Sequence, residues 1–235
     1  MWEFESQVEG IIQRTPTIKS FRFPIRAKNV RYRAGQFFWV TIKLNGEEGI
    51  HHFSFSSSPT EKGYLEFTKR ITQSAYSQAL AGMEAGAWAR LEGPSGEFTL
   101  PRKPMKIAFL TGGIGITPQR SMLRYVADKN LPFDVVLLYG NSTGEEICFR
   151  QELEALAREV PSFRVEHILT SPPPGWTGHT GFINADLVQK LIPDYRERLF
   201  YLSGPPRMVL ALQNQLSSLE IPDSQVRRDS FTGYD

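Results

Sequence analysis

Residues 106–118 read Lys-Ile-Ala-Phe-Leu-Thr-Gly-Gly-Ile-Gly-Ile-Thr-Pro, an apolar run that enters a glycine loop and then a helix start. Glycines let the backbone turn tightly and approach a ligand closely. Pro118 suits the first turn of a helix, where its missing N–H is not needed. A helix start there offers free N–H groups and a positive dipole end to a phosphate. No Lys-Ser/Thr pair follows, so this is not a P-loop, and the third glycine of the dinucleotide fingerprint is absent. Thr111, Gly112, Gly113, Gly115, Thr117 and Pro118 therefore make either a phosphate-binding turn or a tight strand-to-helix turn with no ligand.

The chain changes style close to this loop. After it, strand candidates alternate with helices. The strands are KIAFLT (106–111), FDVVLLY (133–139), FRVEHIL (163–169), LFYLS (199–203) and, more weakly, VRRDSF (226–231). Helices are predicted after Pro118 and over 146–159, 185–192 and 206–219, with Asn184 as an N-cap for the third. Such alternation implies right-handed crossovers and a doubly wound parallel sheet. Before residue 103 the segments are short and alternating, split by Thr15-Pro16, Asn45-Gly46, Lys62-Gly63 and Gly93-Pro94. They read as a small antiparallel sandwich or barrel with one helical insertion at 74–83. The predicted architecture is β followed by α/β, with domains at 1–102 and 103–235 and a boundary in Leu100-Pro101-Arg102-Lys103-Pro104.

Composition narrows the function. The 235 residues carry 27 Lys plus Arg and 25 Asp plus Glu, a formal net charge of +2, which argues against bulk nucleic-acid binding. The one cysteine, Cys148, excludes a disulfide framework, a Cys-rich zinc site and a built-in cluster ligated by cysteines. Adjacent His51 and His52 point to opposite faces of a strand, and His167 and His179 add no ligand spacing, so no metal is expected. No apolar run approaches the roughly 20 residues that span a bilayer. MWEFESQVEG has three glutamates and no apolar signal core, so the expected location is the cytoplasm.

At the glycine loop the chain also resembles a known family. GGIGITP (112–118) resembles the pyridine-nucleotide loop of the ferredoxin–NADP reductase superfamily. HHFSFSSSP (51–59) is similar to its flavin motif Arg-x-Tyr-Ser/Thr, and FTKRITQSAYSQAL (67–80) to its second flavin segment. LEGPSGEF (91–98) resembles the turn closing the flavin domain, and LLYGNSTGEEICFRQELEAL (137–156) an adenosine-side segment of the cytochrome b5 reductase-like branch. WTGHTGFI (176–183) also resembles a family segment. YLSGPPRMV (201–209) resembles the Cys-Gly-Pro-Pro motif, and DSFTGY (229–234) the aromatic tail. The motifs fall in family order and cover nearly the whole chain.

The resemblance implies a flavin-binding barrel followed by an NAD(P)-binding domain. It places Ser54 beside the reactive edge of the flavin and Phe53 against the ring or its side chain. His51 stands where the family has an arginine on the flavin pyrophosphate. That departure weakens flavin binding and leaves FMN open beside FAD, with Arg70 and Lys69 as compensating cations. Ser77 matches the phosphate-binding serine, and Ser74 caps the same short helix. Ser203 replaces the family cysteine near the nicotinamide, followed by Gly204 and Pro205. Phe231 and Tyr234 are candidates for the aromatic that covers the flavin, and Asp229 replaces the glutamate of a Glu-x-Phe pattern. Asn141 lies in the adenosine-side segment. The stretch 140–144 lacks an arginine for a 2′-phosphate, which favours NADH over NADPH. Arg150, one turn further on, either reaches that phosphate or pairs with Glu146 or Glu154.

The neutral total hides a local feature. From Gly10 to Gly46 there is no acid, while Arg14, Lys19, Arg22, Arg26, Lys28, Arg31, Arg33 and Lys43 all fall there. These are either ordinary solvated faces or a docking surface for an acidic carrier such as ferredoxin, flavodoxin or an oxygenase component. The expected function is an FAD-dependent NAD(P)H oxidoreductase handing electrons to a separate carrier, because the motifs leave no room for a fused one. Two alternatives stay open: a flavin, quinone or ferric reductase with a diffusible acceptor, and a non-catalytic nucleotide-binding or electron-transfer subunit.

Overall fold

The first hundred residues alternate with period two, and each inward set meets the next across two antiparallel sheets. The computed structural model describes residues 1–231. Its N-terminal elements are β1 (Trp2–Gln7), β2 (Gly10–Thr15), β3 (Ile18–Pro24), β4 (Phe37–Leu44), β5 (Glu47–Ser54), β6 (Tyr64–Arg70), α1 (Ala75–Ala81) and β7 (Trp88–Ser95). The sheets run β1-β7-β4-β5 and β2-β3-β6, and an antiparallel bridge between Phe55 and Phe67 links them. Asn45 and Gly46 take φ of 51° and 92°, the two positive values that a tight hairpin between β4 and β5 demands. Phe21, Phe23, Phe38, Val40, Phe53, Leu65, Phe67 and Leu91 fill the interior.

The second half supplies β8 (Lys106–Gly112), α2 (Ile116–Asp128), β9 (Asp134–Asn141), α3 (Arg150–Glu159), β10 (Phe163–Leu169), β11 (His179–Thr180), α4 (Ala185–Leu191), β12 (Leu199–Gly204), α5 (Pro206–Ser218) and β13 (Val226–Ser230). The sheet is parallel throughout, ordered β11-β10-β9-β8-β12-β13. Central strands such as β8 are buried almost end to end, as a sheet covered on both faces requires. The interior Arg198 ties the sheet's base by donating to Ile107 O at 3.1 Å, to Asp134 Oδ1 at 2.9 Å and to Asp194 at 2.8 Å.

Two details differ from the sequence expectation. The helix predicted from residue 146 begins at Arg150, because Phe149 is held in the left-handed region at φ 60° and a helix cannot pass through it. The two-residue strand β11 was not foreseen, since so short a segment carries no periodicity. The compact units are Met1–Leu100 with Thr117–Lys129, and Pro101–Ile116 with the chain from Asn130 on. The body of α2 thus packs with the barrel, where its Met122 lies within reach of Gly35.

Candidate functional site

In the parallel sheet the order of strands reverses between β8 and β12. Chain order runs outward from β8 through β9 and β10, then resumes on the other side. Ligands of open α/β sheets sit at the carboxyl ends of the strands at such a point. Several of the residues singled out in the sequence lie there. Thr111 lies opposite Ser203, Gly112 opposite Gly140, and Gly204 opposite Ser230.

The loop is packed from within. Gly113 adopts φ 53° and opens a short 3-10 turn, Gly113–Gly115, that leads into α2. Thr117 and Pro118 fall in the first turn of that helix, and Thr117 is buried. A Cβ on Gly115 would come within 2.7 Å of the Ser203 carbonyl carbon and 2.8 Å of Gly204 Cα, so glycine is needed for backbone to pass backbone. A Cβ on Gly112 would run into the thioether of Met208. Ser203 is fully buried, and its hydroxyl donates to Gly115 O at 2.7 Å. Thr111 Oγ1 donates to Ser203 O at 2.9 Å, and Tyr139 Oη donates to Gly113 O at 2.9 Å. Gly204 takes φ 147°, Pro205 caps α5, and Pro206 opens it.

Next to this edge, the Asn141 side chain is buried with neither amide atom hydrogen-bonded, an environment that calls for a ligand. Arg150 Nε donates to Glu154 Oε1 at 2.8 Å, and its guanidinium lies 5.6 Å from the Trp176 ring centroid. Phe231 follows β13 and donates its N–H to Gly204 O at 3.0 Å. Burial pushes the Asp229 carboxyl, opposite Ser203 in the ladder, up to about 6. Tyr234 lies outside the described residues.

In the barrel the residues expected at the flavin, Arg70 excepted, lie around the end of β5. His51 and Phe53 share a face, with ring centroids 6.4 Å apart, and both meet Tyr76 of α1. Phe53 is stacked on Phe67 at 4.3 Å. His52 points the other way, toward Phe37 and Trp39. Ser54 ends the strand, half-buried and opposite Phe37. Lys69 is only 6% exposed, with its ammonium 6.0 Å from the Phe53 ring centroid. Burial lowers its pKa to about 8. His51 is pushed below its ordinary value by burial, then by Lys69 and His52, so it is neutral at pH 7. Arg70 is turned to the opposite face of β6, where it donates to Thr17 Oγ1 at 2.8 Å. Ser74 caps α1 by accepting from Ser77 N, and the buried Ser77 hydroxyl accepts from Thr72 N at 2.7 Å. A desolvated ammonium beside a neutral imidazole and a short capped helix is a donor set for an anion such as a flavin phosphate.

Two family models divide the chain: an oxidoreductase FAD-binding domain over residues 7–100 and an oxidoreductase NAD-binding domain over 109–214. The plasma membrane-associated coenzyme Q6 reductase PGA3 of Saccharomyces cerevisiae is 30% identical over 216 residues, 89% of this chain and 69% of that protein. The chain belongs to the ferredoxin–NADP reductase family. Other members similar to it are an NADH-cytochrome b5 reductase 1 of Dictyostelium discoideum, 27% identical over 95% of this chain and 80% of that one. The glycine betaine monooxygenase reductase subunit of Chromohalobacter salexigens is 29% identical over 94% of this chain and 62% of that one. The family fold is shared with the ferredoxin NADP+ reductase of Neisseria gonorrhoeae with bound FAD and NADP. That structure has a TM-score of 0.82 at 22% identity and covers 97% of this chain and 98% of that one.

As a member of the ferredoxin–NADP reductase family, the protein is an FAD- and NAD-binding oxidoreductase. Among the described residues no three His, Cys, Asp or Glu side chains gather to hold a metal, and no helix is long and apolar enough to cross a membrane. Sequence reasoning missed four residues that pack against these segments. Tyr139 is hidden in an apolar strand, and Met208 reads as one face of an amphipathic helix. Arg120 and Glu61 are ordinary surface types until the fold brings them together. Only the place of a charge inside the apolar stripe of α2 could have singled out Arg120.

Proposed function

We propose that the protein takes a hydride from NADH onto FAD and passes electrons to a separate acidic carrier protein. Residues 1–102 act as the flavin module and 103–235 as the nucleotide module. Bound FAD supplies the acceptance of a hydride and the release of electrons one at a time. The protein's residues hold and orient. Lys69 carries the positive charge that the family assigns to an arginine at His51, and Ser74 and Ser77 complete the phosphate end. Phe53 backs the flavin and Ser54 meets its reactive edge. Thr111, Gly112, Gly113, Gly115, Thr117 and Pro118 receive the nucleotide phosphates, with Asn141 offering its unpartnered amide on the adenosine side. Ser203 acts by fixing the loop through Gly115, while Gly204 and Pro205 leave room for the nicotinamide. NADH is preferred because Arg150 is held by Glu154 and no arginine stands in 140–144.

The observation that carries the carrier reading is the fate of the basic segment. Arg14 and Arg22 are consumed by the buried Glu66, Lys43 by Glu48, and Lys19 by the Ala81 carbonyl. Arg26, Lys28 and Arg31 stay exposed on one acid-free loop. The glycine betaine monooxygenase reductase subunit among the relatives supports an oxygenase component as the carrier, and coenzyme Q6 reductase supports a quinone as the alternative. An anaerobic titration with NADH, then NADPH, read by the flavin spectrum, tests hydride transfer and nucleotide preference together. A panel of ferredoxin, flavodoxin and quinone acceptors then decides the second half. Fast quinone reduction that ignores ionic strength would replace the carrier reading.

A further inference from the structure

The helix that leaves the nucleotide loop is gripped by the segment that continues from Ser54. Arg120, two residues beyond Pro118, is 5% exposed. Its guanidinium donates to Ser56 O at 2.8 Å and holds the Glu61 carboxylate through both terminal nitrogens, one of them at 3.0 Å. Ser121 Oγ donates to Ser57 O at 2.7 Å. Glu61 is itself fixed, accepting from Ser58 N at 2.7 Å and Tyr64 Oη at 2.9 Å. From the opposite side, Ser56 Oγ donates to the buried Glu66 at 2.9 Å, and the Ser56 and Ser57 amides donate to Glu66 O. Residues 56–58 are thus fixed on both sides, beginning two positions after Ser54, the residue proposed to meet the flavin edge.

A buried ion pair is poor evidence for stability, since apolar replacements often match it, but a guanidinium fork fixes geometry in a way an apolar contact does not. Hydride transfer is the step that needs such fixing, because an error of about 1 Å can cost about a hundredfold in rate. We propose that Arg120 is a positioning residue: it ties the first turns of α2 to the segment that follows Ser54, and so holds the residue assigned to the flavin's reactive edge in place for hydride acceptance. The inference rests on the proposed hydride transfer.

The test compares the holoprotein with Arg120→Met, Arg120→Lys and Glu61→Gln. Flavin content, melting temperature, nucleotide dissociation constant and the anaerobic rate of flavin reduction at saturating NADH are measured for each. Arg120→Met is expected to keep its flavin and bind nucleotide within about threefold of the parent. Its reduction rate should fall at least tenfold, with a larger primary deuterium isotope effect and a weaker long-wavelength charge-transfer band. Arg120→Lys should lie between the two, and Glu61→Gln should add little to Arg120→Met in the double variant. If Arg120→Met does not fold, Glu61→Gln combined with Ser121→Ala loosens the same clamp and carries the same expectation. A folded variant that is reduced at the parent rate overturns the inference alone, as does a slow variant restored fully by excess FAD. A parent protein whose flavin is not bleached by either nucleotide overturns the proposed function and this inference with it.

Discussion

At the scale of single residues, the proposed flavin end turns on a cation displaced from the family's position. The histidine at 51 was legible as a departure from the family pattern, but the compensating cation was not, because Lys69 and Arg70 are equivalent in a sequence. The pleat of β6 separates them and buries only Lys69 beside His51. Lys69→Met is expected to weaken FAD binding by about 2 kcal/mol, roughly thirtyfold, measured by titration of the apoprotein. Because burial lowers Lys69 to about 8, anion binding favours its ammonium form. FAD affinity should be full below pH 8 and fall as pH rises above it. In the apoprotein the sign for stability is opposite. Between about pH 8 and the unfolded value near 10.4 the unfolded chain holds the extra proton, so stability rises with pH across that window. His51→Arg should slow FAD loss on dialysis, tightening binding by about tenfold, because a permanent charge replaces a neutral ring.

At the scale of elements, the glycine loop shows how far spacing can be trusted. Its strand, turn and helix were legible in residues 106–118, and so were the cap at Asn184 and the hairpin at Asn45-Gly46. What the pattern did not separate was which glycine serves the ligand and which serves the fold. Gly115 faces backbone, the Ser203 carbonyl and Gly204 Cα, whereas Gly112 faces the flexible end of Met208. Gly115→Ala should therefore lower stability by about 1–3 kcal/mol and nucleotide affinity by more than tenfold. Gly112→Ala should cost clearly less in melting temperature, because a thioether can swing aside and a backbone cannot. Equal losses in the two variants would contradict this account. Ser203 belongs to the same lesson: a motif position assigned to the nicotinamide has its hydroxyl committed to Gly115 O.

At the scale of the whole molecule, the net charge of +2 conceals a partition that the fold makes. Three of the eight cations between Gly10 and Gly46 meet the buried or paired acids Glu66 and Glu48, which lie outside that stretch of sequence. Charge reversal of Arg26, Lys28 and Arg31 to glutamate is expected to slow reduction of an acidic carrier at least tenfold at low salt and to flatten its salt dependence. Flavin reduction by NADH should be unchanged. Stopped-flow rates between low and physiological ionic strength measure both. By itself the sequence determined the two fold types, the switch-point loop and the family, because periodicity, turn chemistry and motif order are local and survive without coordinates. Only the tertiary structure decided that Lys69 rather than Arg70 joins His51, that Gly115 is a packing glycine, and that Arg120 clamps the segment after Ser54. Each of those facts depends on which group a strand or helix turns inward against a residue far along the chain, and no local pattern encodes that partner.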